Sequence, residues 1–329
     1  MLQPDVHRGR LRRSRSLQTL DRASLLAQAV AFLAGKDDEA RVREHVGRAL
    51  DLASDADVTR FVERLLGTGA TWGYHPPDPL ARSINHAMAV VTLEPGSSLL
   101  GGDVLGAARR SLVFVANHLS FADANLLEAL LFQAGHEAIA ARLTVLVGPK
   151  VYSEAYRRLA SLCFGTIKLP QSTSRASGEA VMPRREVAKL AADTLRTVAE
   201  RHAAGDHLLV FVEGTRSRDA QMQRALPAVS RYLSGAETLV VPVAIRGSEQ
   251  LVPVGEERIH RARVSVRLGR PFGGADLLRA CRGKRALAMD AVGLAIARAL
   301  PSAYRGAYAD DAPGLDEARS VVKSLAAPP

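Results

Sequence analysis

Cysteine is almost absent from this chain, which contains only Cys163 and Cys281. Two cysteines cannot form a disulfide framework, and these two lack the spacing of a metal site, so we expect buried, reduced thiols in a cytoplasmic protein. Long apolar runs are absent too, because Glu128 interrupts the run at 126–131. No window reaches the roughly 18 apolar residues of a membrane-spanning helix, and no apolar signal-peptide core follows the basic N-terminus. The sequence therefore predicts neither a secreted protein nor an integral membrane protein.

Lysine and aromatic residues are scarce, whereas arginine is abundant. Six of the 44 basic residues are lysine, aromatic residues make up 5% of the chain, and the formal net charge is +10. This positive excess predicts an anionic partner, such as a nucleic acid, an anionic membrane surface or a phosphorylated substrate. A basic nucleic-acid-binding protein is the less favoured alternative, because the chain has no recognition motif, few aromatic residues and arginines spread along its length. We expect no nucleic acid among the partners.

Hydrophobic periodicity divides the chain into four segments. Residues 1–20 form a basic arm, which we expect to be disordered, with five arginines opposed by one aspartate. Apolar residues at near-3.6 spacing predict a small helical region over 21–94, in which 67–79 is a loop rich in glycine and proline. Short β-rich runs alternate with helical stretches over 95–275. A helical extension and a short tail occupy 276–329.

The alternation of strands and helices after residue 95 indicates the fold class. The predicted strands are 111–116, 143–147, 162–169, 207–212, 239–245 and 264–268. The predicted helices between and after them are 123–133, 153–161, 184–204, 220–233 and the helical region 275–300. Such alternation predicts an α/β fold, with a mostly parallel central sheet flanked by helices and preceded by the small N-terminal helical region.

The strand predicted at 111–116 runs directly into a polar segment with Asn117, His118 and, five residues after the histidine, Asp123. Active residues of open α/β sheets gather in loops beyond the carboxyl ends of strands. The Asp123 carboxylate can there accept a hydrogen bond from one imidazole nitrogen and leave the other as a base. The chain has no Gly-x-Ser-x-Gly elbow and no cysteine beside a histidine, so the base would have to activate a substrate hydroxyl. A helix cap at Asp123 beside a chance histidine is an equal alternative.

A second polar segment follows the strand predicted at 207–212. Gly214 lets the backbone approach a ligand closely, while Thr215 and Arg216 offer hydroxyl and guanidinium donors that suit a phosphate. Glu213, at the end of the strand, is placed to brace Arg216 or to bind an acceptor hydroxyl. Such turns are common on protein surfaces, so this segment alone is a weak signal.

Both segments together resemble two motifs of the glycerol-phosphate and lysophospholipid acyltransferase family, Asn-His-x-x-x-x-Asp and Phe-Pro-Glu-Gly-Thr-Arg-Ser. The matching residues in this chain are Asn117-His118-Leu119-Ser120-Phe121-Ala122-Asp123 and Phe211-Val212-Glu213-Gly214-Thr215-Arg216-Ser217. A further block of the family, an apolar strand around a proline, matches Val240-Val241-Pro242-Val243-Ala244-Ile245. The order and spacing of the blocks also fit, and the resemblance covers roughly residues 95–275.

Two positions depart from the family pattern. Val212 replaces the usual proline, which a strand tolerates. Gln171 stands where the second block of the family has an arginine that contacts the acceptor phosphate. The candidates to supply the missing positive charge are Lys168, Arg175, Arg184 and Arg185. This departure leaves a non-phosphate acceptor, such as a lyso-aminolipid, as an alternative.

The resemblance implies an O-acyltransferase of phospholipid synthesis, with His118 deprotonating an acceptor hydroxyl that attacks an acyl thioester. Asp123 would orient the imidazole, and Arg216 with Gly214 and Thr215 would hold the acceptor phosphate. The residues that we assign to substrate binding are Asn117, Lys168, Glu213, Gly214, Thr215 and Arg216. The donor would be acyl-CoA or an acyl carrier protein, and the acceptor lysophosphatidate or glycerol 3-phosphate. We expect no metal and no cofactor, and a peripheral position at an anionic membrane surface, on the inner face of the membrane.

Overall fold

The structure, a computed structural model, describes residues 20–106, 111–153, 155–170, 182–235, 238–256 and 258–326. Three features of the sequence lie outside these residues: the basic arm up to residue 19, Gln171 and Arg175. The division of the chain into four segments stays a prediction.

The described residues form one mixed sheet of nine strands. The strands are β1 (Tyr74–His75), β2 (Ser98–Leu100), β3 (Leu112–Ala116), β4 (Leu143–Val147), β5 (Gly165–Lys168), β6 (His207–Phe211), β7 (Leu239–Arg246), β8 (Ser265–Leu268) and β9 (Phe272–Gly273). Their order across the sheet is β1-β5-β4-β6-β3-β7-β8-β2, with β9 beside β7. Pairing is parallel from β5 to β7 and between β8 and β2, and antiparallel at β1–β5, β7–β8 and β7–β9. All six predicted strands are present, which confirms the α/β prediction.

Helices precede the sheet and cover it. They are α1 (Arg22–Ala31), α2 (Glu39–Asp51), α3 (Asp55–Gly67), α4 (Pro79–Thr92), α5 (Asp123–Gln133), α6 (Glu137–Ala141), α7 (Ala155–Ser161), α8 (Arg184–Ala203), α9 (Ser248–Leu251), α10 (Gly274–Ala280), α11 (Arg285–Ala297) and α12 (Asp316–Ala326). The sequence marks several of their starts. The side chain of Asp78 accepts hydrogen bonds from the first amides of α4, where Pro79 needs no partner for its nitrogen.

Two hydrophobic cores lie on the two faces of the sheet, because successive side chains of a strand point to opposite faces. Within β3, Leu112, Phe114 and Ala116 belong to the first core, and Val113 and Val115 belong to the second. Helices α1 to α5 and α7 contribute to the first core, and α8 and α10 to α12 contribute to the second. Every residue of β3 is buried, so this strand is a rigid support for whatever follows it.

The predicted helix at 220–233 is wrong. The amide of Leu226 donates to the carbonyl of Val212, and the amide of Met222 donates to a carbonyl in the segment after α11. Because these tertiary hydrogen bonds use the donors that a helix would need, the segment is irregular until the short 3₁₀ turn Pro227–Tyr232. Its apolar residues are buried as the periodicity suggests, but without a helix.

The structure also corrects one predicted loop and one predicted helical region. The predicted loop at 67–79 contains β1, which forms the edge of the sheet beside β5. The helical region predicted at 275–300 is interrupted after α10, where Arg282 and Gly283 both have positive φ angles. A residue in the left-handed region ends a helix, so α10 and α11 are separate.

A buried carboxylate joins α4 to α5. Glu128, which interrupts an apolar run in the sequence, is fully buried. Its oxygens face three side chains that α4 presents on one side: Asn85 Nδ2 at 2.8 Å, His86 Nε2 at 3.0 Å and Arg82 Nε at 3.3 Å. A charge removed from water requires such partners, so Glu128 fixes how the N-terminal helices sit on the sheet domain.

We expect Glu128→Ala to lower the free energy of unfolding by about 3 kcal/mol, because it leaves the partly buried Arg82 without its carboxylate. The matched control is Glu137→Ala on α6, where the glutamate is exposed and the expected change is within about 0.5 kcal/mol. Urea unfolding of both variants measures the difference. Equal midpoints for the two variants would contradict a structural role for Glu128.

Candidate active site

Three parallel strands end side by side at the edge of the sheet that carries the predicted site residues. β3 lies between β6 and β7, with Ala116 paired to Phe211 on one side and to Val243 on the other. Parallel strands present their carboxyl ends at the same edge, so the polar segments that follow them meet there. The two segments that the sequence singled out are therefore neighbours in space, as predicted.

The backbone of His118 is held on both sides by the segment after β6. Its amide donates to Glu213 Oε1 at 2.9 Å, and its carbonyl accepts from the amide of Ser217 at 2.8 Å. The second oxygen of Glu213 accepts from the amide of Gln223 at 2.8 Å. These hydrogen bonds fix the backbone of His118 relative to the turn that follows β6.

Glu213 is fully buried, and the structure assigns it a different contact from the one predicted. Both carboxylate oxygens accept from backbone amides, those of His118 and Gln223. Burial raises the pKa of Glu213 to about 7, and the amides of Gln223 and His118 oppose that rise. These contacts let Glu213 position His118, and the predicted substrate contact of Glu213 stays a prediction.

Asn117 is also fully buried and holds β3 to β7. Its Nδ2 donates to the carbonyl of Ile245 at 2.9 Å, and its Oδ1 accepts from the amide of the same residue at 2.8 Å. This pair of hydrogen bonds uses both ends of the amide to join the two strands, and the predicted substrate-binding role of Asn117 stays a prediction. The side chain thus continues the hydrogen bonding between β3 and β7 by one residue beyond the end of β3.

The imidazole of His118 lies against Asp123 and the ring of Phe211. Nδ1 is 2.9 Å from Asp123 Oδ2, and the ring stacks on Phe211 with centroids 4.0 Å apart at an interplanar angle of 20°. A carboxylate at Nδ1 selects the tautomer with its proton on that nitrogen, which leaves a lone pair on Nε2. The side chain is 17% exposed, so Nε2 is available to a small group at the edge of the sheet.

The carboxylate of Asp123 accepts four hydrogen bonds in full burial. Besides His118, the amides of Leu119 and Ser120 donate to Oδ2 at 2.7 and 3.0 Å. The hydroxyl of Ser248 donates to Oδ1 at 2.6 Å. Asp123 is the first residue of α5, but its side chain closes the preceding loop and orients His118, so the capping alternative does not account for its contacts.

Ser248 is a contributor that the sequence analysis missed. It follows Gly247, whose φ of +84° turns the chain sharply at the end of β7. That turn carries the Ser248 hydroxyl to Asp123, 125 residues away in sequence. No local spacing links the two residues; only the neighbouring positions of β3 and β7 do.

The turn after β6 places Gly214, Thr215 and Arg216 at the same edge. Gly214 is exposed and has a φ of +67°, a conformation that favours glycine. The guanidinium of Arg216 lies 3.9 Å from the ring centroid of Phe121, which belongs to the loop between His118 and Asp123. A cation is thus present beside the His118 loop, as the sequence predicted.

Lys168 does not belong to this cluster, which corrects its predicted role. Its ammonium donates to the carbonyl of Gly69 at 2.8 Å and lies 4.5 Å from the ring centroid of Trp72. Three strand spacings separate β5 from β3, which corresponds to about 14 Å across the sheet. Another of the candidate cations, Arg184, lines a separate surface groove on α8.

Two further properties concern metals and membranes. Across the described ranges, no group of three or more His, Cys, Asp or Glu side chains is arranged to hold a metal ion. Cys163 and Cys281 are free and buried, as expected. No helix among the described residues is long and apolar enough to cross a bilayer.

Comparisons with known proteins found one family and one solved structure to report. A similar solved structure is the 1-acyl-sn-glycerophosphate (LPA) acyltransferase PlsC from Thermotoga maritima, with 16% identity, 76% of this chain and 85% of that chain covered, and a TM-score of 0.39. That TM-score is too low to support an argument, and no curated protein matches the chain. The identification comes from the Acyltransferase family, whose sequence model matches residues 105–246 and spans both strand-end segments. Over residues 105–246 the chain is therefore similar to acyltransferase domains.

Proposed function

We propose that this acyltransferase moves an acyl group from an acyl thioester to a hydroxyl of lysophosphatidate or glycerol 3-phosphate, with His118 as the general base. The observation that supports this most is the hydrogen bond between His118 Nδ1 and the buried carboxylate of Asp123. Nearby serine hydroxyls donate elsewhere, Ser248 to Asp123 and Ser217 to Asp219. A substrate hydroxyl is therefore a better nucleophile here than a residue of the chain.

The proposed reaction has two steps. In the first, the acceptor hydroxyl gives its proton to His118 Nε2 while its oxygen attacks the thioester carbonyl. In the second, the tetrahedral intermediate collapses, the carbon–sulfur bond breaks, and the thiolate takes the proton from the imidazolium. Asp123 favours the first step because its negative charge stabilises the imidazolium that this step forms, and it keeps the ring oriented for the second.

The acceptor phosphate is proposed to bind at the turn after β6. Arg216 lies against the loop that carries His118, and Gly214 allows close approach of the backbone. A guanidinium matches a phosphate in shape and charge, so it holds the acceptor with its hydroxyl toward Nε2. The donor, acyl-CoA or an acyl carrier protein, supplies the thioester, and none of these steps calls on a group beyond the two substrates and the chain.

We expect His118→Ala to lower kcat by about a hundred- to ten-thousandfold, because no base then accepts the hydroxyl proton. The fold should persist, since the variant loses one ring stack worth about 1 kcal/mol and Asp123 keeps three of its four hydrogen-bond donors. Thioester release from palmitoyl-CoA in the presence of lysophosphatidate measures the rate, and thermal unfolding monitors the fold. Normal release by a folded His118→Ala variant would contradict the mechanism.

Asp123 should show a graded response to substitution. In Asp123→Asn the amide oxygen can keep the three N–H donors, while its NH₂ donates to the Ser248 hydroxyl, so only the charge is lost. We expect kcat to fall about ten- to hundredfold, whereas Asp123→Ala should approach the loss of His118→Ala because the imidazole loses its orientation. Equal losses below tenfold for both variants would restrict Asp123 to a structural role.

The protein is also proposed to act at an anionic membrane surface in the cytoplasm, since its net charge is +10. We expect it to sediment with vesicles that contain anionic phospholipid and to be released by high salt, because exposed charges are screened within about 10 Å at 0.1 M salt. Neutral phosphatidylcholine vesicles of the same size are the control. Equal binding to both kinds of vesicle would contradict an electrostatic attachment.

A further inference from the structure

A cavity of about 300 Å³ lies between the paired strands β7 and β8 and the C-terminal end of α11. Arg246, Arg267 and Arg298 line it, and we call it the three-arginine cavity. Among the described residues, the one further polar side chain in its lining is that of Ser265, and no acidic side chain takes part. This volume is at the lower end of the range for small-molecule sites, so it has room for an anionic group and part of the molecule that carries it.

The register of β7 and β8 brings two of the arginines together. In this antiparallel pair Ala244 lies opposite Arg267, and Arg246 lies opposite Ser265. Residues directly opposite share a face of the sheet, as do residues two apart on one strand, so all four side chains lie on the same face. Each arginine therefore stands across from a small side chain. Diagonal neighbours lie roughly 7–8 Å apart, within reach of long side chains, so both guanidinium groups can converge on one group in the cavity.

The end of α11 contributes the third arginine. Arg298 is the residue that follows the last turn of this helix. Backbone carbonyls at a helix end would disfavour an anion, but two of those in the lining are already used. The carbonyl of Leu300 accepts from Arg305 Nε at 3.0 Å. The carbonyl of Pro301 accepts from the amide of Tyr304 at 3.0 Å. The guanidinium of Arg298 is thus the main charge that this end of α11 adds to the cavity.

The positive charge of the cavity is not compensated within the described part of the chain, where none of the three guanidinium groups has a carboxylate partner. Exposed arginines elsewhere have one, such as Arg279, which pairs with Asp276 at 2.8 Å. The acid closest to Arg246 in sequence, Glu249, accepts instead from the hydroxyl of Tyr304 at 2.7 Å. Like charges around one cavity repel each other, and a bound anion relieves that repulsion.

We propose that the three-arginine cavity is a second anion site of this protein and binds a phosphate group. Guanidinium groups match phosphate oxygens in shape and charge, and three of them suit a phosphomonoester or a diphosphate. The site is distinct from the turn after β6. His118 stacks on Phe211, which packs against the first core, whereas Ala244 of the cavity belongs to the second core on the other face of the sheet.

Two kinds of molecule carry such a group in a form that can reach an open cavity. One is a soluble phosphate ester such as CoA, and the other is the head group of an anionic phospholipid such as phosphatidate. All three arginines are exposed, so either source has access to their guanidinium groups. The inference concerns binding alone and does not depend on acyl transfer.

The experiment is a calorimetric titration with inorganic pyrophosphate at constant ionic strength. It uses Arg216→Gln protein, so that the turn after β6 does not contribute a guanidinium. Into this background we introduce Arg246→Gln, Arg267→Gln and Arg298→Gln together. We expect the affinity for pyrophosphate to fall at least about tenfold, because each lost charge-assisted pair has an effect of roughly that size. Thermal unfolding monitors the fold, and Arg267→Gln alone should give a smaller loss in the same direction.

A matched control removes the same net charge elsewhere. Arg43, Arg48 and Arg279 are exposed and lie in local ion pairs on helix surfaces. Such pairs contribute little to stability, so replacing all three by glutamine should leave the fold intact. We expect the affinity for pyrophosphate to stay within about twofold in this control, because the three-arginine cavity is unchanged.

Two further titrations of the same proteins distinguish the sources of the phosphate. CoA is compared with pantetheine, which lacks its phosphates, and vesicles with phosphatidate are compared with pure phosphatidylcholine vesicles. A selective loss of CoA binding assigns the site to a soluble phosphate ester, and a selective loss of vesicle binding assigns it to a lipid head group. Equal affinity for pyrophosphate in the three-arginine variant and its control overturns the inference, as does an absence of pyrophosphate binding by Arg216→Gln protein. Neither result bears on the proposed acyl transfer, which is measured separately as thioester release.

Discussion

The buried carboxylate of Asp123 is the interaction on which the rest of the site depends. A carboxylate removed from water needs a donor for each lone pair it presents, and Asp123 has donors from His118, Leu119, Ser120 and Ser248. Three of them belong to its own loop, so satisfying the charge closes the loop. The fourth ties that loop to the chain after β7. The orientation of the imidazole is a consequence of satisfying this charge.

The same constraint applies to two other polar residues of the motifs. Asn117 and Glu213 are fully buried, and their polar atoms are used by backbone groups of neighbouring strand ends. Three of these four hydrogen bonds join segments that are 95 to 128 residues apart in sequence, and the fourth, from Gln223 to Glu213, spans 10 residues. A motif residue at an active edge can therefore serve by holding another residue in place, and burial distinguishes that role from contact with a ligand.

The arginines of this chain differ in where their guanidinium groups lie. Many arginines of the described chain lie in local ion pairs on helix surfaces, such as Arg60 with Asp57 and Arg196 with Asp193. Such exposed pairs contribute little to stability and leave the site unaffected. Arg157 and Arg216 differ because the ring of Phe121 holds both guanidinium groups beside the His118 loop. The net charge of +10 is spread along the chain, whereas these two guanidinium groups are held at one place.

The sequence by itself determined six of the nine described strands, the α/β class, and the pair of His118 and Asp123, because these depend on short-range periodicity and on spacing within one loop. It also placed Gly214 and Arg216 at the end of a strand. It could not determine that Ser248 reaches Asp123, that Lys168 turns to Gly69, or that Arg157 shares an aromatic ring with Arg216. Nor could it exclude a helix at 220–233, whose amides are used by distant carbonyls. These features depend on which strands become neighbours, and that order follows from the packing of both cores rather than from any local run of residues.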